Sequence, residues 1–325
     1  MEIVSPKVSV AVITYNMEDY LCALLDSILK QKVDFPYEIV IDDDCSPDGS
    51  REIIQEYQKR YPDRIYPIYR NENVGGSRNM WGVLNRCHAQ YIALLEGDDF
   101  WETEDKLQKQ ITFLDQHPEY IGMTCNSWCE HGKEPAFADV MRKRTEPKVF
   151  SLNDFLTGRH FHDRLPSSTD TWVFRNFLHD GGKYSLFYEA HNMIWDQSLA
   201  LILYGKGYIY ASPELVSHHR NVVNSEGTNY QSVISRRNCL YEDSKMYKAM
   251  EKYITDELHQ SCGLFYLVRG DVWVDAFFRA LKTGTSEDRK VERRIRKEQR
   301  NKIMLAKLLV AKIIDILGRK LGLHE

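Results

Sequence analysis

The chain has 325 residues, 43% of them hydrophobic and 12% aromatic, enough to bury a core in one large domain with additions or in two modest domains. Its net charge of −4 hides an asymmetry: residues 289–325 hold twelve Lys/Arg against four Asp/Glu, leaving 31 basic and 43 acidic groups on the preceding 288. Seven scattered cysteines and an N-terminus without a basic region or long apolar run argue for reduced thiols in a cytoplasmic protein rather than a disulfide-stapled secreted one. Cys125 and Cys129 have no second pair at matching spacing and read as buried thiols, not a zinc site.

The first 125 residues alternate apolar runs with amphipathic stretches, the pattern of βαβ units around a mostly parallel sheet. Residues 7–14 predict a first strand. Residues 18–31 predict a helix with Leu21, Leu24, Leu25 and Ile28 on one face. Strands are predicted at 37–41, 65–69, 91–95 and 121–127, and helices at 50–61, 75–87 and 105–117. The stretch 128–165 reads as an irregular insertion, apart from a short helix at 151–157. A strand at 168–174, a helix at 196–204, a strand at 208–211 and a loop at 217–227 follow. From 234 to 283 the pattern is helical, and 286–325 predicts one or two long helices. The apolar run 303–317 is interrupted by Lys307, Lys312 and Asp315, too short and too charged for a membrane span. A basic helix with a broad apolar face suits an anionic membrane surface, or packing on the body or a second subunit.

Three chemistry-bearing segments fall where parallel strands end, the edge at which open α/β sheets bind ligands, and a fourth opens a helix. Asp42-Asp43-Asp44 closes the second strand; three consecutive acids exceed what a helix cap requires, and a carboxylate there can accept from a base N–H. The turn Asn71 to Asn79 combines Gly75 and Gly76, which permit close backbone approach, with the forked donor Arg78. It is not a dinucleotide fingerprint, which weighs against a dehydrogenase. Glu96-Gly97-Asp98-Asp99 follows an apolar strand and offers hard oxygen ligands suited to Mg²⁺ or Mn²⁺ carrying a diphosphate. Asp196 opens a helix beside Trp195, where partial burial would raise its pKa and suit it to act as a base.

In this order, the segments Val8 to Asn16, Asp43 to Gly49, Asn73 to Asn79 and Glu96 to Asp99 resemble the family 2 glycosyltransferases of the bacterial branch that builds cell-surface polysaccharide. The resemblance covers about residues 6–225. It implies an α/β GT-A nucleotide-diphospho-sugar transferase fold with a helical C-terminal extension. The expected division is a catalytic domain at 1–230, with a nucleotide-binding half at 1–127 and an acceptor half at 128–230. A helical region at 231–325 carries the basic tail 286–325. By the same resemblance Thr14, Tyr15, Asn16, Asp43, Asp44, Gly75, Arg78 and Asp98 line the nucleotide site, and Asp196 is the general base. Asp99 ligates Mn²⁺ or Mg²⁺, with Asp98 and either His218 or His219 as further ligands. The base position, Glu-Asp in many relatives, is Trp195-Asp196 here. The His that often follows a Tyr-Arg pair is replaced by Val222.

The implied activity is inverting, metal-dependent transfer from a nucleotide-diphospho-sugar, UDP-linked by preference, to a hydroxyl of a lipid-linked or growing glycan. The expected location is cytoplasmic, peripheral on the inner membrane face, with self-association of the C-terminal helices as an option. A degenerate binding or assembly subunit is the alternative. It predicts losses among Asp44, Asp98, Asp99 and Asp196, yet all four are present. The Arg289–Arg300 charge run lacks interleaved aromatics, against a nucleic-acid partner.

Overall fold

The structure, a computed structural model, describes residues 5–131, 138–141, 144–158, 164–221, 230–299 and 301–320. Strand β1 (Val8–Thr14) is rich in β-branched residues and buried throughout, as a strand covered on both faces must be. It pairs in parallel with β2 (Tyr37–Asp43) and β4 (Tyr91–Glu96), and β2 pairs in parallel with β3 (Ile65–Tyr69). Helices α1 (Glu18–Leu29), α2 (Ser50–Arg60) and α3 (Gly76–Leu84) make the crossovers. In α1, Leu21, Leu24, Leu25 and Ile28 recur at helical spacing and pack beneath the sheet.

Beyond β4 the short β5 (Phe100–Trp101) and α4 (Lys106–Gln116) lead to β6 (Tyr120–His131). Strands β7 (Ala138–Met141) and β8 (Lys148–Phe150), helices α5 (Leu152–Thr157) and α6 (Ser185–Ala190), strand β9 (Val173–Arg175) and β10 (Tyr208–Asn221) complete the mixed part. The sheet order is β3-β2-β1-β4-β9-β6-β10-β5, with β7 on β6 and β8 on β10. Helix α7 (Asp196–Lys206) is buried from Gln197 to Tyr204, as a helix with apolar residues all round must be.

Four helices follow: α8 (Tyr230–Arg236), α9 (Leu240–Asp256), α10 (Tyr266–Thr283) and α11 (Ser286–Glu298), with α12 (Lys302–Lys320) closing the described chain. They do not stand apart from the sheet. Met246, Met250 and Val274 share one core with Leu199, Leu203 and Phe155.

Several expectations are corrected. The predicted loop 217–227 is, up to Asn221, the second half of β10, which pairs in parallel with β6 from His218↔Trp128 to Asn221↔His131. Its polar side chains hid a strand whose backbone is satisfied by ladder bonds. The insertion at 128–165 carries the end of β6 and strands β7 and β8. The strand expected at 168–174 is a 3₁₀ turn (Thr169–Thr171) followed by β9.

Candidate active site

Strands β1, β2 and β4 deliver Thr14, Asp43 and Glu96 to one sheet edge. Where the chain leaves β1 and β2 it turns through left-handed backbone at Asn16 (φ 60°) and Cys45 (φ 63°). The N–H groups of Asn16 and Met17 donate to Ser46 Oγ and Ser50 Oγ, each at 3.0 Å, and so tie the two loops together. Asp44 accepts from the N–H of Val74 at 2.7 Å and of Gly75 at 2.8 Å, fixing the turn before α3. Gly75 adopts φ 87°, and a Cβ there would come within 2.3 Å of Asn192 Nδ2. That close approach brings the segment before α7 against the turn before α3, and Ser77 N–H donates to Asn192 O at 2.8 Å.

These loops bound a cavity of about 900 Å³. Its lining includes Thr14, Tyr15, Asp44, Asn73 and Gly75 from the first loops, Glu96, Asp98 and Asp196, and Arg236, Arg237 and Asp243. Thr14 Oγ1 and Asn79 Oδ1, both on groups of the wall, have no hydrogen-bond partner among the described residues. Asp196 is the first residue of α7, half-buried, and accepts from the Gln197 N–H at 2.7 Å.

Three expected nucleotide residues are placed off the wall. Asp43 is fully buried, and Arg51 Nε and Nη2 donate to its Oδ2 at 2.9 and 2.8 Å. Asn16 is exposed. Arg78 is also exposed, with its guanidinium 5.3 Å from the Tyr188 ring. Asp42 is likewise taken up by Arg70, yet burial pushes its pKa up to about 6.

The paired acids divide. Asp98 faces the cavity, together with Glu96, which accepts from Thr169 Oγ1 at 2.7 Å. Asp99 is fully buried behind the wall. Its Oδ1 accepts from the Arg220 N–H at 2.9 Å, and its Oδ2 lies 3.2 Å from His219 Nδ1. Asp170, on the 3₁₀ turn, joins Asp99 and His219 in a set whose ligand atoms all lie within 4.8 Å of one another. Asp170 accepts from Ser127 Oγ at 2.6 Å through Oδ2, and its Oδ1 has no hydrogen-bond partner among the described residues.

Successive β10 side chains point to opposite faces, so the two histidines separate. His218 sits between Glu130 and Glu102, 2.7 Å from each, and stacks on Phe100. His219 is therefore the one beside the acidic loop. Val222, where the resemblance places a histidine, lies outside the described residues.

Burial raises the pKa of Glu96 to about 7, with Asp98 adding to the effect. Burial also raises Asp98, and raises Asp99 strongly against the pull of His219. Carboxylates pushed together toward their neutral forms are short of positive charge. Hard oxygen donors in that condition fit a divalent cation. Glu96 and Asp98 would hold it from the cavity wall, and Asp99, Asp170 and His219 form a second donor set behind them.

The sequence reading missed Asp170, Arg236 and Arg237. Asp170 falls in a segment read as strand, and Arg236 ends α8 with Arg237 just past it, outside every motif.

The sheet is mixed rather than mostly parallel, with β3-β2-β1-β4 a parallel run within it. Acids from those strand ends converging on one cavity are the GT-A arrangement, and the chain has that fold. Residues 9–167 match the sequence model of the family described as Glycosyl transferase family 2. An uncharacterized protein of Mycobacterium tuberculosis is 44% identical over 170 residues, 52% of this chain and 44% of that protein. The poly(ribitol-phosphate) beta-N-acetylglucosaminyltransferase TarS of Staphylococcus aureus is 33% identical over 151 residues, 45% of this chain and 25% of that protein. The chain thus spans less than half the length of these curated relatives. In structure, S. aureus TarS 1–349 in complex with UDP superposes with a TM-score of 0.53 at 18% identity, covering 90% of this chain and 92% of that one. The mannosyltransferase PcManGT from Pyrobaculum calidifontis, in complex with GDP-Man and Mn²⁺, gives 0.50 at 17% identity over 97% and 88%.

Proposed function

We propose that this protein is an inverting glycosyltransferase that moves a sugar from a nucleotide-diphospho-sugar, UDP-linked by preference, to a hydroxyl of a lipid-linked or growing surface glycan. The observation that carries the reading is that Asp98 and Asp196 line one cavity together with Thr14, Tyr15 and Asp44. The nucleoside fits the loops after β1 and β2, where Asp44, Thr14 Oγ1 and Asn79 Oδ1 offer polar atoms. Asp196 accepts the proton of the acceptor hydroxyl. The acceptor oxygen then forms a bond to the anomeric carbon from the face opposite the diphosphate, and the bond to the leaving oxygen breaks with inversion. A bound Mn²⁺ or Mg²⁺ supplies charge neutralisation at the leaving diphosphate. Glu96 and Asp98 hold that position in this reading. Asp99, expected from the resemblance to be the metal ligand, would add its carboxylate with Asp170 and His219 from behind, its Oδ1 held by the Arg220 N–H.

The basic C-terminal region supports a peripheral seat on an anionic membrane face. Helix α12 buries Met304, Leu305 and Leu308 against the body. Its outer side exposes Ile303, Val310, Ile314 and Leu317 beside Lys307, an apolar stripe flanked by positive charge. No helix of the described residues is long and apolar enough to cross a membrane.

The deciding experiment titrates UDP with and without Mn²⁺ by calorimetry into the wild type, Asp98→Asn and Asp196→Asn. Metal-dependent UDP binding that is lost in Asp98→Asn and kept in Asp196→Asn is expected. Sugar transfer in Asp196→Asn should fall by about 10²–10⁴. Absence of nucleotide binding under every metal condition would leave the binding-subunit alternative as the better account.

A further inference from the structure

The cavity lined by Asp196 is also lined by Arg236, the last residue of α8, by Arg237 just past it, and by Leu240 and Asp243 of α9. A second cavity of about 500 Å³ continues from there. It shares Arg237, Leu240, Asp243 and Asp275 with the first and adds Arg279 and Lys282 from α10. The two acidic groups shared by the cavities each have a nitrogen partner. Asp243 Oδ1 lies 3.1 Å from His191 Nε2, and Asp275 Oδ1 lies 3.7 Å from Lys312 Nζ. Arg279 Nε is turned to Asp288 at 3.2 Å. Arg237 and Lys282 form no ion pair among the described residues.

We propose that this continuation is the acceptor's trough and that Arg237 and Lys282 bind a phosphate group carried by the acceptor. The proposal rests on the glycosyltransferase reading for its direction. With the nucleoside against β1 and β2 and the diphosphate at Asp98, the side of Asp196 left for the incoming hydroxyl is the side built by α8, α9 and α10. An uncharged glycan gains little from a guanidinium and an ammonium there. A phosphate mono- or diester matches the forked guanidinium and gains charge-assisted hydrogen bonds. The phosphate can belong to a polyol-phosphate chain or to a lipid diphosphate, and both present the same oxygens to this pair.

The test uses the full chain and two probes: a fluorescein-labelled glycerol-phosphate hexamer, read by anisotropy, and geranyl diphosphate as its competitor. Maltohexaose is the uncharged control, and UDP is titrated in parallel by calorimetry. The wild type should bind a phosphate probe more weakly as salt rises. Arg237→Ala and Lys282→Ala should each weaken that binding about tenfold while UDP affinity stays unchanged. Preference for the hexamer or for the prenyl diphosphate assigns the source of the phosphate. Loss of UDP binding with probe binding still dependent on Arg237 and Lys282 would sink the donor reading and leave the trough standing. The trough itself is overturned if neither phosphate probe binds or if maltohexaose competes equally. It is also overturned if both variants bind like the wild type, or if Arg237→Ala weakens UDP as much as the probe, since the guanidinium would then serve the donor.

Discussion

His219 Nδ1 lies 3.2 Å from Asp99 Oδ2 on the inner side of the loop whose outer side carries Asp98. Two adjacent carboxylates of one dipeptide thereby have different surroundings, one facing the cavity and one fully buried. Burial works against a charged imidazole. The charge and hydrogen bond of Asp99, followed by the charges of Asp170 and Asp98, outweigh it and hold His219 well above its ordinary range.

Removing that imidazole should therefore expose the acidic set to its own repulsion. His219→Ala is expected to lose on the order of 3 kcal/mol of stability, the scale for breaking a buried ion pair by deleting one partner. Urea unfolding followed by circular dichroism measures it. Unchanged stability would mean that Asp99 and Asp170 are held by Arg220 and Ser127 alone.

Gly75 tests how the donor-side turn is joined to the segment before α7. An alanine there meets left-handed backbone and the Asn192 side chain together. Gly75→Ala should cost about 1–3 kcal/mol through backbone strain and displacement of Asn192. Adding Asn192→Gly should restore only the steric share. Thermal melts of the single and double variants separate the two parts, and a neutral single variant would show that the turn yields freely.

Lys106 gives a pH dependence with a definite sign. It is fully buried, its Nζ has no hydrogen-bond partner among the described residues, and it sits 4.2 Å from the Trp101 ring centroid. Burial lowers its pKa to about 8, with Cys125 and Asp170 opposing. Between that value and the unfolded one near 10.5 the unfolded chain binds more protons, so this group's contribution to stability rises with pH across the window. Below it, the folded protein bears the full cost of a buried ammonium. Lys106→Met should accordingly stabilise by about 1–3 kcal/mol at pH 7. The advantage should shrink toward pH 10, as chemical denaturation at both pH values would show. A constant advantage would assign the gain to packing.

Much of the nucleotide-side architecture was legible because its signals are local. The apolar runs of β1, β2 and β4 and the i, i+3, i+4, i+7 spacing in α1 need no partner to be read. The end of β10 escaped notice because Ser217-His218-His219-Arg220 looks like a polar loop. It is a strand since its backbone pairs with β6 while its side chains serve the acidic centre. Asp170 left no trace, because a carboxylate on a 3₁₀ turn carries no periodicity and acquires meaning from Asp99 and His219 across the fold.

The order of the motifs along the chain determined the sheet edge where Thr14, Asp44, Glu96, Asp98 and Asp196 would meet, since parallel strands deliver their C-terminal ends to one side. Only the tertiary structure decided which of the neighbouring acids face the cavity. Asp43 and Asp99 turn inward to Arg51 and to His219, Asp98 turns to the opening, and Asp44 lines the cavity while both its oxygens accept from the Val74 and Gly75 N–H groups. The physical reason is that a buried carboxylate is stable only beside a compensating cation or donor; Asp43 finds its partner eight residues on in α2, and Asp99 finds its partner 120 residues on in β10.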